Sequence, residues 1–321
     1  MKGMHKCEGS FLRKGMLLGL CLLLMMVIFM PAGPVQAADS KWINQVWSNY
    51  KAYNKKTVAA YNNYMDQQTQ TYNTYLKTQN DRLAELERIV LEDQNKWNEK
   101  LEADLADLQK RYGDNRDLRS ELNEYARNIN PNSLSSPMGI YTREANRNSL
   151  SSTMGTFARA INENSLSSYM GDYKRAISPN LLSSPAYALN KTVSDSYISS
   201  PMYALMKNSS TSYITSPIYA YSRGKISKTK AQQQISKLYK ELTAKIAKDI
   251  ARYKQQIANT ASSSENKIQD LYLKTVRALE AQRNASLQNI SDQRKKICGE
   301  GLTWEPLLKG LAGDGKVGGL K

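Results

Sequence analysis

The sequence predicts an all-α protein: a long antiparallel helical hairpin, a coiled-coil stalk, with a tandem array of short helices inserted at its tip. Two 74-residue spans, 39–112 and 225–298, contain neither glycine nor proline, enough for two helices of about 110 Å at 1.5 Å per residue. Between them a sixteen-residue phrase is written six times over 132–227 without insertion or deletion. Charge then suggests how the long helices meet. Residues 81–112 carry nine acids against six bases, and residues 225–256 carry nine bases against two acids, so a chain folded back at the array would set one block beside the other. A parallel homo-oligomeric stalk is the alternative arrangement.

Residues 1–37 read as a signal peptide. Lys2, Lys6, Arg13 and Lys14 precede an apolar run from Met16 to Met30, and Val35 and Ala37 are the small residues before a cut after Ala37. The expected protein is therefore secreted or held at a bacterial cell surface, unless the segment is retained as an anchor. Its removal takes away His5, Cys7 and Cys21 and leaves Cys298 as the one cysteine. Histidine-dependent nucleophiles, Cys/His zinc sites and an intrachain disulfide are thereby excluded. An intermolecular disulfide through Cys298 remains open in an oxidising compartment. No phosphate-binding loop, dinucleotide fingerprint or calcium loop occurs, and no cofactor is expected.

The first stalk helix, 38–112, has a seam of threes and fours through Val46, Tyr50, Tyr53, Tyr61, Tyr64, Tyr72, Tyr75, Leu83, Leu86, Val90, Trp97, Leu101, Leu105, Leu108 and Tyr112, interrupted at Gln68, Gln79 and Asp93. The second, 228–298, repeats the pattern through Ile235, Leu238, Leu242, Ile246, Ile250, Tyr253, Ile257, Ala261, Ile268, Leu271, Val276, Leu279, Leu287, Ile290 and Ile297. Neither is a clean heptad, which predicts an irregular coiled coil.

The head, 113–227, holds the six copies and a degenerate seventh at about 116–131, which reads as a capping unit. Position five is always serine (Ser136, Ser152, Ser168, Ser184, Ser200, Ser216), followed by proline in four copies, a helix start. Apolar residues at seven, ten and fourteen, such as Met138, Tyr141 and Ala145, fall on one helical face. Each copy is thus a helix of about nine residues, too short to stand alone. Position three is always aliphatic (Leu134, Leu150, Leu166, Leu182, Ile198, Ile214), and it is expected to be buried in the connector.

Position twelve is always basic: Arg143, Arg159, Arg175, Lys191, Lys207 and Arg223. Stacked copies would line these cations into a ladder for a polyanion. The same position lies in the last turn of each helix, where the helix dipole favours a cation without any ligand. Tyr187, Tyr203 and Tyr219 replace three glycines in the later copies and offer rings to a sugar, though tyrosine also reads as the general core aromatic here.

The formal charge is +16, near +13 without the signal, with sixteen bases against six acids in the second long helix. The expected basic patch at the stalk base joins Lys41, Lys51, Lys55 and Lys56 to Arg283, Arg294, Lys295 and Lys296. The expected function is that of a non-enzymatic structural or adhesive surface protein, a rigid spacer presenting a repeat head. Its expected partners are an anionic cell-wall polymer, an acidic glycan, a lipid surface or further copies of itself; no nucleic acid is expected. The alternatives are a carboxylate-dependent polysaccharide-acting enzyme, with Glu144 or Glu163 as acids, and a helical-hairpin membrane-active toxin. The glycine-rich tail, 299–321, is expected to be flexible and carries no wall-sorting signature.

Overall fold

The computed structural model describes residues 37–308 and 311. The predicted signal segment up to residue 36 lies outside them, as does most of the tail. All regular structure among the described residues is helical. Helix α1 runs Ala37–Tyr112, and a short 3-10 turn, Arg116–Leu118, leads into α2, Arg119–Asn128. The six copies supply α3 Pro137–Glu144, α4 Thr153–Ala160, α5 Tyr169–Ala176, α6 Pro185–Val193, α7 Pro201–Asn208 and α8 Pro217–Ser222, and α9 runs Lys228–Cys298. Helix α1 stops at Gly113, whose α-carbon lies so close to the Gln109 carbonyl that a Cβ would sit 2.4 Å from its oxygen. Helix α9 starts where Ser227 accepts from the Lys230 N–H (3.3 Å) and stops at Gly299, with φ +79°, the left-handed geometry that closes helices.

The chain divides into two compact units, one of Met1–Tyr64 with Tyr187–Lys254 and one of Met65–Ala186 with Gln255–Lys321. In both units the two long helices are parallel, which overturns the antiparallel hairpin. In the second unit Tyr75 donates to the Glu265 carbonyl, Arg283 pairs with Asp93 and Arg294 with Asp104, each across 190 residues. Arg82 reaches Gln269, 187 residues on. In the first unit Tyr239 donates to the Val46 carbonyl, 193 residues back, and the Lys254 ammonium lies 4.2 Å from the Tyr64 ring centre. The hairpin expectation rested on opposite charge along exposed flanks, where each pair is worth under about 1 kcal/mol. The buried pair of Asp93 with Arg283 and the half-buried pair of Asp104 with Arg294 decide instead: both carboxylates find their arginines far along α9, not in its basic first half. Parallel neighbours need a long crossover connection, and the repeat array is that connection.

The array is therefore not a head at a tip. In the second unit its tenth-position rings contact the long helices at successive levels. Tyr125 donates to Asp104 (2.7 Å) and Tyr141 to Asp93 (3.2 Å). Phe157 meets Tyr272, the ring under Arg82, at 5.5 Å, and Tyr173 meets Tyr72 edge-on at 5.3 Å. An advance of sixteen residues in the array is thus a retreat of ten or eleven along α1, from 104 to 93, 82 and 72. Eleven residues make three helical turns, about 16.5 Å, and return nearly the same helix face. The supposed interruptions of the seam belong to this core: Gln79 and Asp93 are both buried. In the first unit the core is mostly aliphatic, with Val46, Leu205, Ile218, Ile235 and Ile246 around Tyr50 and Tyr239.

The start of the tail is ordered against α9. The Leu302 N–H donates to Ser291 Oγ (2.8 Å), the Leu307 and Leu308 N–H groups to Glu280, and Trp304 Nε1 to Asn284 (3.1 Å). Leu308 is buried, so residues 299–308 do not form the flexible tail expected from their glycines.

Candidate interaction surface

Each copy is pinned by its fifth-position serine. All six hydroxyls donate to the carbonyl six residues earlier, at 2.5–2.6 Å. Five of them also accept the N–H three residues on, from Gly139, Gly155, Gly171, Tyr203 and Tyr219. One buried hydroxyl therefore closes the connector and caps the next helix.

That closure turns the third-position side chain outward, and here the expectation of a buried aliphatic fails in every copy. Leu134, Leu150, Leu166, Leu182, Ile198 and Ile214 are 74–83 % exposed. The fourth-position hydroxyls from Ser135 to Thr215 are exposed as well. The expectation failed because a lone aliphatic among polar residues was taken for core, whereas the serine bonds fix the backbone with that side chain pointing away.

Position twelve resolves into several roles. Arg143, Arg159 and Arg175 donate to the carbonyls of Leu134, Leu150 and Leu166 in their own copies, at 2.6–2.7 Å. Each clamps the turn that bears the exposed leucine. Lys191 lies half-buried in the last turn of α6. Lys207 lies 6.0 Å from the Tyr213 ring centre and Arg223 5.5 Å from that of Tyr219. The first three cations thus serve their own fold as well as the surface.

The tyrosines introduced in the later copies are half-buried. Tyr187 packs edge-on against Tyr197 and Tyr203 against Tyr213, both at 6.1 Å. Of the two acids considered for catalysis, Glu144 accepts from the Thr153 N–H and hydroxyl (2.9 and 2.6 Å), tying α3 to α4. Glu163 accepts from Tyr72 (2.8 Å) and pairs with Lys174 (3.3 Å). Both carboxylates join packed elements. Cys298 is the half-buried last residue of α9, its thiol 3.5 Å from the Arg294 carbonyl, with no disulfide.

The expected basic patch draws on both units. Lys41, Lys51, Lys55 and Lys56 belong to one unit and the four later bases to the other, while Arg283 and Arg294 are already bound to carboxylates. Among the described residues no cluster of His, Cys, Asp and Glu could hold a metal ion. None of the described helices is long and apolar enough to cross a membrane. A cleft of about 440 Å³ opens between α5, α6 and α9, lined by Arg175, Ser183, Asn259, Thr260, Ser263 and Lys267 among others. Burial, followed by hydrogen bonds to Asp104 and Glu163, pushes the phenols of Tyr125 and Tyr72 well above their usual range.

The pairing of buried Asp93 with Arg283 and of half-buried Asp104 with Arg294 is not evident from the seams alone. Their signal is a spacing of ten or eleven residues in the first long helix, at 72, 82, 93 and 104, beside one of eleven in the second, at 239, 250, 261, 272, 283 and 294. Compared with known protein families, curated proteins and solved structures, the chain matches none.

Proposed function

We propose that this is an exported, non-enzymatic surface protein whose array is a periodic docking face for an extended partner in the cell envelope. The observation that carries the reading is the third position. Six copies that have drifted at most other positions all keep an aliphatic there, although it is almost fully exposed. A single exposed aliphatic is ordinary; its recurrence in one column of six diverged copies is what supports a role outside the fold. A row of side chains suits a surface or polymer better than a small substrate, which would need one enclosed pocket.

The helical-hairpin toxin loses its basis, since the long helices do not form a hairpin. The polysaccharide-acting enzyme loses its two acids to packing contacts. The scaffold reading predicts that the protein without residues 1–37 co-sediments with washed bacterial envelopes. Changing all six third-position residues to serine should release it to the supernatant. Wild-type protein that stays in the supernatant would refute the reading.

A further inference from the structure

We infer that the partner of the array is an anionic lipid surface, with the third-position aliphatics inserting at the border between headgroup and acyl chain. This rests on the docking-face reading above and names its occupant. The leucines stand apart: within the second unit consecutive copies advance by about 16.5 Å along the long helices, and Leu134, Leu150 and Leu166 are each 76–83 % exposed, so they do not pack into a groove for a helix or peptide. An isolated exposed aliphatic on each of many steps fits a soft, continuous apolar medium, which requires no matching period.

Charge selects among surfaces. Residues 132–227 carry nine bases and four acids, and all four acids are occupied. Glu144 binds Thr153, Glu163 binds Tyr72 and Lys174, Asp172 binds Arg175, and Asp195 binds Asn54. In three copies the guanidinium sits on the backbone carbonyl of the exposed leucine itself, placing a cation at the base of that residue, with Arg175 also paired to Asp172. That pairing matches an anionic headgroup above hydrocarbon. A second copy of the chain would bring the same excess of positive charge against this one. A glycan polymer would be met by free aromatic faces, whereas Tyr187 and Tyr203 are packed against neighbouring rings.

The test uses the protein lacking residues 1–37 and vesicles of phosphatidylcholine with or without one third phosphatidylglycerol. Bound fraction is read by co-sedimentation, and helicity by circular dichroism as a check on folding. The expected result is binding to the anionic vesicles that weakens with salt and falls by more than about tenfold when Leu134, Leu150, Leu166 and Leu182 become serine. The corresponding isoleucine variant should bind like wild type. Wild-type protein that ignores anionic vesicles, or a serine variant that binds them equally, overturns the inference. If vesicles are ignored but the serine set abolishes self-association in sedimentation velocity, the occupant is a second copy. If vesicles are ignored while envelope binding persists and needs the six aliphatics, the occupant is a wall polymer and the docking-face reading survives without the lipid.

Discussion

The first three copies of the array and the last three build the same outward-facing turn from different connectors. In the first three a glycine stands at position eight because the carbonyl of Ser133, Ser149 or Ser165 occupies the place of its Cβ, 1.7–2.2 Å away. Asn130, Asn146 and Asn162 fold the connector through Asx turns to the N–H two residues on. In the last three copies position eight is tyrosine. Where those side-chain turns recur, at Ser194 and Ser210, serine replaces asparagine. The buried serine at position five and the exposed aliphatic at position three are the same in both sets. What has been free to vary is the packing behind the turn, and what has been kept is the direction in which it points.

The two sets also rest on different supports, and the largest expected effect separates them. Copy one leans on the ion pair of Asp93 with Arg283, whose side chains are 4 % and 5 % exposed. Copy four instead places the half-buried Asp195 against Asn54 (2.8 Å). Asp93→Leu leaves Arg283 charged, buried and without its carboxylate, and should destabilise by about 3–5 kcal/mol. Asp195→Leu should cost no more than about 2 kcal/mol. Denaturant melts of the two variants give the difference, and equal losses would show that the two halves depend on their carboxylates alike.

The connector difference comes next. Gly155→Ala places a methyl 2.0 Å from the Ser149 carbonyl oxygen and should destabilise by about 1–3 kcal/mol as the connector shifts. Tyr203→Ala, at the same position in copy five, removes an edge-on ring contact with Tyr213 and the hydroxyl interaction between the two phenols, and should cost about 1 kcal/mol beyond its lost buried area. A thermal shift for Gly155→Ala as small as that of an exposed substitution would mean that the glycine is not imposed by the backbone.

The smallest effect at neutral pH grows large in alkali. Burial pushes Tyr239 and Tyr75 up to about 12, and it raises Tyr125 and Tyr141 further, with Asp104 and Asp93 adding to the shift. An unfolded tyrosine ionises near pH 10. The folded chain holds these protons more tightly, so their contribution is complete below about pH 10 and is lost as pH rises through the folded values. Helix content at 222 nm should fall together with the appearance of tyrosinate at 295 nm. Tyrosinate that forms in full before helix is lost would place these phenols in water.

Much of this architecture is legible in the sequence for identifiable reasons. The long helices follow from spans without glycine or proline, and the short ones from serine followed by proline. Their mutual direction was read wrongly because equal lengths and opposite charge blocks fit an antiparallel pairing, and exposed charges decide little. The information that fixes direction lies in residues that look like flaws in an apolar seam, such as Asp93, and becomes readable only when their eleven-residue spacing is set beside the sixteen of the array. The outward direction of position three is hidden in the sequence for a related cause. Hydrophobicity alone does not say whether a conserved aliphatic such as Leu150 points inward; the hydroxyl of Ser152, bonded to the Asn146 carbonyl, decides that.

The gearing of sixteen residues to eleven also restricts how such a chain can change size. A module duplicated by itself would overrun its rails by three turns, so gain or loss of one step requires matched edits at three separate places in the coding sequence. Within the second unit the number of steps is consequently tied to the reach of both rails, which act as a ruler whose graduations cannot be added one at a time.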